Sequence, residues 1–218
     1  MSDGVAARLV DPDFDERLMV WFHRLGPAGF VTFMSGGVAA RLVDPAFDAR
    51  LMVWFNILGP AGFVTFMSDG VAARLVDPAF DARLMVWYDR LQVGPFIKFI
   101  KGGVAARILD ADFNEELTTI WWDRFNNADQ FARFIKGCCG HLLDPHFRFN
   151  AIQLMDIINN NEIFSLIASR SKVSTRIKRF GYVELITNTL YNECNGDVIR
   201  LKKLLRSQEI VVGSNLYP

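Results

Sequence analysis

The sequence predicts an all-α protein, a right-handed helical-repeat solenoid with two helices plus a short third in each repeat and a helical C-terminal cap. Two observations predict this class. The phrase "DPDFDERLMVWFHRL" of residues 11–25 returns as "DPAFDARLMVWFNIL" at residue 44 and as "DPAFDARLMVWYDRL" at residue 77. Each copy also joins a helix start signal to apolar residues at helical spacing.

The repeat returns with a constant period. The aspartates that open the five copies are Asp11, Asp44, Asp77, Asp110 and Asp144, whose numbers differ by 33, 33, 33 and 34. Self-similarity at such a period is typical of a solenoid, because one unit cannot bury its apolar face alone. We therefore predict five helical repeats of about 33 to 35 residues over residues 1–167, and a helical cap with a basic segment over residues 168–218.

The first helix of a repeat is predicted to begin at an Asp-Pro pair, which only the fourth repeat lacks. Asp11 can accept hydrogen bonds from free backbone amides, and Pro12 has no amide that needs a partner. Apolar residues follow at i, i+4, i+7, i+8 and i+11, and they are Phe14, Leu18, Trp21, Phe22 and Leu25. We expect this helix to end at Gly26-Pro27, which also begins the next element.

The second helix of the repeat is predicted over "PAGFVTFMS", where Phe30 and Phe33 lie at helical spacing. Gly36-Gly37 then separates a short third helix, "VAARLV", that leads to the next Asp-Pro. In the third repeat the Gly-Pro pair moves by two places while Phe96 and Phe99 keep the repeat period. The pattern therefore predicts fixed core positions and exchangeable loops.

The composition changes after residue 150, where Asn, Ile, Ser and Lys replace Gly, Ala, Val and Pro. The stretches "GYVELITNTLYNE" and "GDVIRLKKLLRSQ" both show helical spacing, and Asp197 is placed to cap the second. We predict that these helices cover the apolar face of the last repeat. The short stretch "EIVV" is the one candidate strand.

Composition and charge narrow the class of protein. The chain is 51% hydrophobic and 22% charged, which excludes wholesale disorder. Residues 1–134 carry 13 basic and 17 acidic groups, whereas residues 135–218 carry 11 basic and 7 acidic groups. The repeats are mildly acidic and the C-terminal segment is basic. Three cysteines, no signal-like opening and no long uncharged apolar run predict an intracellular protein of a reducing compartment without a membrane span.

The near-identical repeats vary chiefly at a residue pair close to the end of the first helix. Repeats that keep the core and vary one surface pair resemble modular readers, in which each unit contacts one ligand element. The alternative is free drift of exposed positions. The candidate partner-binding residues are His23, Arg24, Asn56, Ile57, Asp89, Arg90, Asp123 and Arg124.

A second candidate site is basic and lies in the C-terminal segment. Such a cluster can meet phosphates on nucleic acid or lipid, and the alternative is a solvated helix face. The candidate phosphate-binding residues are Arg170, Lys172, Arg176, Lys178, Arg179, Lys202, Lys203 and Arg206.

Elsewhere the sequence contains few patterns that are typical of catalytic or metal-binding sites. "GCCGHLLDPH" places Cys138, Cys139, His141 and His146 close together, but adjacent cysteines suit a zinc tetrahedron badly and occupy a structural slot of the repeat. "DPDFDE" has the spacing of calcium ligands without the glycine and the final glutamate of a calcium loop. No nucleophile triad or phosphate loop is present. We predict no enzymatic activity, no cofactor and no metal site, and a core role for the Trp121-Trp122 pair.

The order of elements in "LGPAGFVTFMSGGVAARLVDPAFDARLMVWFNILG" resembles the repeat of mitochondrial transcription termination factors, at the level of pattern and over residues 1–134. The resemblance implies a helical-repeat fold and adds nucleic-acid binding as a candidate function. It assigns a role to no individual residue.

The preferred functional hypothesis is a non-enzymatic scaffold that binds a protein or peptide partner, or another copy of itself, along the surface with the variable pairs. The alternative is a nucleic-acid-binding repeat protein in which the repeats align the strand and the basic segment holds phosphates. A third hypothesis is a self-assembling or designed array, because three copies are almost identical.

Overall fold

The computed structural model describes residues 12–35, 38, 41–67, 71–125 and 127–207. Every regular element in these ranges is helical, which confirms the predicted all-α class. The chain divides into two compact units, residues 1–111 and residues 112–218. Asp11, which is predicted to cap the first helix, and the candidate strand "EIVV" lie outside the described residues.

The first unit contains the three near-identical repeats. Its helices are α1 (Pro12–Ser35), α2 (Pro45–Phe66), α3 (Ala72–Arg74), α4 (Pro78–Leu91) and α5 (Val93–Ile100), followed by a 3-10 turn at Val104–Ala106. The predicted Asp-Pro start is confirmed where it is described: Asp44 and Asp77 each accept the amide of the residue two positions on, at 2.9 and 2.8 Å. These caps fix the start of the first helix in repeats two and three.

The predicted break between the two long helices of a repeat is confirmed. Inside α1, Gly26 has φ 64° and ψ 173°, and inside α2, Gly59 has φ 67° and ψ 170°, so each continuous element is two helices joined at a sharp bend. Glycine adopts this region at no steric cost. In the third repeat Gln92 occupies the same position with φ 61° and ψ 174°. The bend therefore keeps its place although the Gly-Pro pair has moved.

The core of the first unit contains a series of tryptophans, two of which are seen to pack on the following repeat. Trp21 is fully buried. Its ring stacks on Phe33 of its own repeat at 5.0 Å and on Phe63 of the next repeat at 5.2 Å, and Phe55 meets it edge-on at 5.7 Å. Its Nε1 donates to Asp48 Oδ1 at 2.8 Å. The adjoining repeat thus supplies both aromatic packing and a hydrogen-bond acceptor for the indole.

The same arrangement recurs one period later. Trp54 stacks on Phe66 at 4.8 Å and on Phe96 at 5.4 Å, Tyr88 meets it edge-on at 5.9 Å, and its Nε1 donates to Asp81 Oδ1 at 2.6 Å. We call the three residues of a following repeat that receive an indole the indole socket. The two sockets seen are Asp48, Phe55 and Phe63, and Asp81, Tyr88 and Phe96.

Arginine side chains add periodic hydrogen bonds between the repeats. Arg41 Nη1 donates to the carbonyl of Ala72 at 3.4 Å, and Arg74, one period on, donates to that of Ala106 at 3.2 Å. The carbonyls lie in the short third element, whose fully buried valine is Val38, Val71 or Val104 in successive repeats. The short elements are therefore part of the interface between repeats. The predicted break at Gly36-Gly37 lies outside the described residues, and in the fourth repeat Gly103, with φ 82°, separates the corresponding elements.

One sequence expectation about the first helix was wrong. Phe14, Leu18 and Trp21 are buried as predicted, but Phe22 is 36% exposed. It lies one residue past Trp21, which turns it away from the line of the three buried residues.

The second unit contains the drifted repeats and the C-terminal helices. In chain order they are α6 (Ala111–Glu115), a π-helical segment (Glu116–Trp121), a 3-10 turn (Trp122–Arg124), α7 (Ala128–Cys138), a 3-10 turn (Cys139–His141), α8 (Pro145–Ile158), α9 (Asn161–Ala168), α10 (Ser171–Ile177), α11 (Tyr182–Asn188), a π-helical segment (Thr189–Glu193) and α12 (Val198–Ser207). Both predicted terminal helices are present, and Asp197 caps the last one through the amides of Ile199 and Arg200.

The π-helical segment absorbs a one-residue insertion. Trp21 follows its opening aspartate by ten residues, but Trp121 follows Asp110 by eleven. The wider turn at Glu116–Trp121 takes up the additional residue, as a π-bulge does. Trp121 remains fully buried, as predicted, whereas Trp122 of the same pair is only half-buried.

Among the described residues, one helix, Pro45–Phe66, is long and apolar enough by composition to cross a bilayer, with a mean hydropathy of 1.2. The bend at Gly59 divides it into two segments, each shorter than the roughly 20 residues that a span needs. Phe47, Trp54 and Phe63 of this helix are fully buried within the protein. The expectation of no long uncharged apolar run was wrong, because residues 51–68 carry no charged side chain, and this one bent helix gives only weak evidence for a membrane span.

Candidate interaction surface

One exposed valine recurs on the first helix of every repeat in the first unit. Val20, Val53 and Val86 lie one repeat period apart and are 39%, 47% and 46% exposed. Single exposed apolar residues are ordinary on protein surfaces, but the same residue at three equivalent positions gives a regular apolar row. Sequence reasoning missed this row, because the apolar pattern of the helix does not say which face the next repeat covers.

A second apolar row lies beside the first. Val43, Val76 and Leu109, at the end of each short third element, are 41%, 42% and 44% exposed. Arg50 Nη2 donates to the carbonyl of Val76 at 3.3 Å, and Val53 is one helical turn from Arg50 on the same face. The two rows are therefore neighbours along the repeats.

The variable pairs of the first three repeats continue the valine row. His23 and Arg24 follow Val20 by three and four residues, so all three share one helix face, and the same offsets hold in the next two repeats. We call this surface the helix-one strip. Its members are Val20, Val53, Val86, His23, Arg24, Asn56, Ile57, Asp89 and Arg90. All of them are exposed except Ile57, which is half-buried.

Two arginines of the strip are held against aromatic rings. The Arg24 guanidinium lies 5.4 Å from the centre of the Phe55 ring, and that of Arg90 lies 5.3 Å from the Trp87 ring. Each contact restrains the arginine by a cation–π interaction. Asp123 and Arg124, the fourth pair, are exposed in the 3-10 turn of the second unit and do not lie on an α-helix.

A pocket of about 270 Å³ opens beside the strip in the first repeat, and Asp13, Glu16, Arg17, Val20, Trp21 and Asp48 line it. Arg17 is tied to the carbonyl of Leu42 at 2.7 Å, and Asp48 accepts the indole of Trp21. The second and third repeats carry alanine at the position of Asp13 and also at the position of Glu16. The pocket beside the strip is thus acidic in the first repeat, and the equivalent positions of the next two repeats are less so.

The candidate phosphate-binding residues lie in the second unit. These side chains differ in their exposure to solvent. Lys178, Arg179 and Lys203 are exposed, whereas Arg170, Arg176 and Lys202 are half-buried. The side chains of Lys172 and Arg206 lie outside the described residues. The turn between α10 and α11 presents Lys178 and Arg179 directly before Phe180, whose ring is completely exposed at 102%. We call residues 178–181 the basic turn.

Residues around the basic turn fix its position within the second unit. Asn150 of α8 donates through Nδ2 to the carbonyl of Ile177 at 2.6 Å, and the neighbouring Phe149 is 63% exposed. Partial burial lowers the pKa of His141, and the positive charge of Lys178 lowers it further, against an opposing effect of Asp144. Two exposed aromatic rings and two cations thus lie in the neighbourhood of this turn.

The cysteine cluster is structural in its surroundings. Cys138 is fully buried in the position that Val104 holds one repeat earlier, and its Sγ lies 3.3 Å from the Ala168 carbonyl. Burial raises its pKa well above the usual value, with a smaller contribution from Cys139. His146 is exposed. Across the described ranges no three His, Cys, Asp or Glu side chains converge on a metal-binding group.

Comparisons of the chain with protein-family models, with curated proteins and with solved structures found no match. Interpretation of the site therefore depends on the contacts, exposure and charge of its own residues.

Proposed function

We propose that the repeats of residues 12–111 stack as a right-handed solenoid and act as a non-enzymatic scaffold that binds a protein or peptide segment along the helix-one strip. The observation that supports this is the row of three equivalent exposed valines with a variable pair one turn away from each. A constant apolar row gives affinity to any apolar segment, and the variable pairs supply selectivity. Repeat proteins commonly use an extended surface of this kind.

The chemistry of the strip describes the partner. The segment carries small apolar side chains for Val20, Val53 and Val86, and polar groups for the pairs between them. Near the first repeat it carries a lysine or arginine, because three carboxylates and one tied guanidinium line the pocket. Near the third repeat it offers groups that pair with Asp89 and Arg90.

A peptide-display selection on the immobilised full chain tests this proposal. Peptides selected on the wild type are measured again on the triple variant Val20→Ser, Val53→Ser, Val86→Ser. A matched control is Val31→Ser, because Val31 is 69% exposed on α1 but lies beyond the bend at Gly26. We expect binding to weaken by about tenfold or more on the triple variant and to stay unchanged on the control.

Selected peptides that bind the triple variant as well as the wild type would exclude the strip. A parallel capture from lysate, with and without nuclease, separates the two classes of partner. Loss of all captured protein after nuclease treatment would contradict a protein-binding scaffold.

The second candidate function is binding of single-stranded nucleic acid by the second unit. The observation that favours it is Phe180, completely exposed next to Lys178 and Arg179. An exposed aromatic ring can stack on a base while adjacent cations meet phosphates. Fluorescence anisotropy with a labelled single-stranded oligonucleotide tests it.

We expect Phe180→Ala to weaken oligonucleotide binding by about 1–3 kcal/mol at fixed salt. The double variant Lys178→Ala, Arg179→Ala is expected to lower the slope of log affinity against log salt by about 0.7 for each phosphate that is no longer neutralised. Binding that is unchanged by Phe180→Ala, or that does not respond to salt, would rule out the basic turn as its site.

A further inference from the structure

The first repeat carries the residues of an indole socket. Asp15, Phe22 and Phe30 stand at the positions of Asp48, Phe55 and Phe63 in the second repeat, each one repeat period earlier. In the second and third repeats these positions receive the tryptophan of the preceding repeat. Within the described part of the chain, Phe22 and Phe30 contact each other at 5.5 Å, and no indole ring packs against either.

Exposure distinguishes the first socket from the other two. Phe63 and Phe96, which stack on a tryptophan, are both completely buried, whereas Phe30 is only half-buried. Phe22 is 36% exposed, and the Asp15 side chain is exposed. The first repeat thus presents two aromatic rings and a carboxylate at the positions that receive an indole in the next two repeats.

We propose that this first socket binds a helical repeat of the same type that leaves its tryptophan uncovered. The two interfaces seen inside the first unit define the partner chemistry. The partner presents an indole whose Nε1 donates to Asp15 and whose ring stacks on Phe30, with Phe22 at its edge. A phenylalanine twelve residues after that tryptophan covers its other face, as Phe33 covers Trp21.

A second copy of this chain does not fit the socket. Of its five tryptophans, Trp21, Trp54, Trp87 and Trp121 are fully buried and Trp122 is half-buried. Offering one of them would require unstacking it from its own rings. The matching repeat is therefore one whose tryptophan is not covered by a following repeat.

The first arm of the test titrates the full chain with a synthetic peptide of residues 45–67, which carries Trp54 and Phe66 at the required spacing. The control peptide has Trp54→Ala, and the protein is compared with its Asp15→Ala variant. Asp112→Ala is the matched control, since Asp112 is also an exposed first-turn aspartate. We expect saturable binding that falls by about tenfold or more with either Trp54→Ala or Asp15→Ala, and not with Asp112→Ala.

The second arm is needed because the free peptide can fail to form a helix and so fail to bind. It therefore supplies the partner repeat within the same chain. One additional copy of residues 12–44 is placed ahead of Pro12 in the full chain, which raises its effective concentration to about millimolar. In this longer chain Asp15→Ala of the original repeat is expected to lower the urea midpoint as much as Asp48→Ala does in the natural chain. In the natural chain Asp15→Ala is expected to leave the midpoint unchanged.

The outcomes are distinct. An Asp15→Ala variant without effect on peptide binding and on the longer chain would overturn the proposal. A concentration-dependent dimer of the natural chain in sedimentation, lost in Asp15→Ala, would overturn the assigned partner, because the socket would then be occupied by a second copy.

Discussion

Trp121 donates its indole N–H to Glu116 at 2.9 Å, and both residues lie on the same π-helical segment. The other carboxylate oxygen of Glu116 accepts from Arg148 Nη1, also at 2.9 Å. Glu116 is only 6% exposed, so its charge is balanced by these two donors. The indole here obtains its acceptor from its own repeat, unlike Trp21 and Trp54.

The charges of this pair are reversed relative to the earlier repeats. The position of Glu116 is held by Arg50 in the second repeat, and the position of Arg148 is held by Asp81 in the third. Trp54 donates to Asp81 of the following repeat. The carboxylate has therefore moved from one side of the repeat interface to the other, while the indole keeps a charged acceptor.

A double-mutant cycle tests this exchange. Arg148→Ala leaves a buried carboxylate with the indole alone and is expected to lower the free energy of unfolding by about 1–3 kcal/mol. Glu116→Arg combined with Arg148→Asp restores the charge order of the earlier repeats. We expect the combined variant to be more stable than the sum of its single changes by about 1 kcal/mol or more, measured by urea denaturation. Additive changes would show that the two side chains are independent.

Gln92 is the residue whose backbone least suits its side chain. Its φ of 61° with ψ of 174° lies in a region that is essentially restricted to glycine, and Gly26 and Gly59 hold this position in the other repeats. Gln92→Gly is expected to raise the free energy of unfolding by about 1 kcal/mol, which exceeds the exposed hydrogen bond that Gln92 donates to the Asp89 carbonyl. Thermal denaturation checks this.

Gln92→Ala is the control for that substitution. It removes the same hydrogen bond but keeps a Cβ, so the strain remains and no gain is expected. A stabilisation by alanine equal to that by glycine would show that the bend at this position is not strained.

The features that the sequence predicted correctly are those with local causes. The caps at Asp44 and Asp77 follow from the Asp-Pro pair, and the bend at Gly59 follows from Gly-Pro. Gln92 shows the limit of local reasoning, because packing of Phe96 and Phe99 holds the bend in phase after its glycine has moved. Local sequence signals do not show which repeat covers which aromatic ring, because that depends on how the repeats pack against each other.

The candidate surface was predictable only in part. Variation between copies indicated the positions of His23 and Asn56 without showing the exposed valines beside them. Three near-identical repeats cannot reveal their outer face, because a constant valine is consistent with a core or a surface position. Phe180 carried no periodic signal, since it lies in a turn outside the repeats.

Loss of the indole N–H donor tests how much its hydrogen bond and its ring contribute to the stability of the interface between repeats. Trp54→Phe keeps an aromatic ring but loses the donor to Asp81 and leaves a small cavity in a fully buried site. We expect a loss of about 2–4 kcal/mol in the free energy of unfolding. Trp122→Phe is the comparison, because Trp122 is half-buried, and its loss should be smaller. Equal losses in urea denaturation would contradict the stacked, hydrogen-bonded role of Trp54.

Cys138 provides a prediction about pH. Burial raises its pKa well above the ordinary 9.0 of a thiol, so the unfolded chain loses this proton at a lower pH than the folded chain does. Stability is therefore full below about pH 9 and falls as pH rises above it. Cys138→Val fills the position as Val104 does in the previous repeat. The variant should be nearly as stable as the wild type at pH 7 and should lose less stability by about pH 9.8.

Two other groups set the range for this measurement. Burial also raises the pKa of Cys194, so part of the decline persists in the variant, and burial raises the pKa of Tyr182 to about 12, which adds a further loss above about pH 10. Urea midpoints between about pH 7 and 9.8 therefore isolate the thiols. Alkylation at about pH 8 gives an independent readout, because Cys138 should react with iodoacetamide only in denaturant. Rapid native alkylation at Cys138, or an identical decline in the valine variant, would contradict its place in the core.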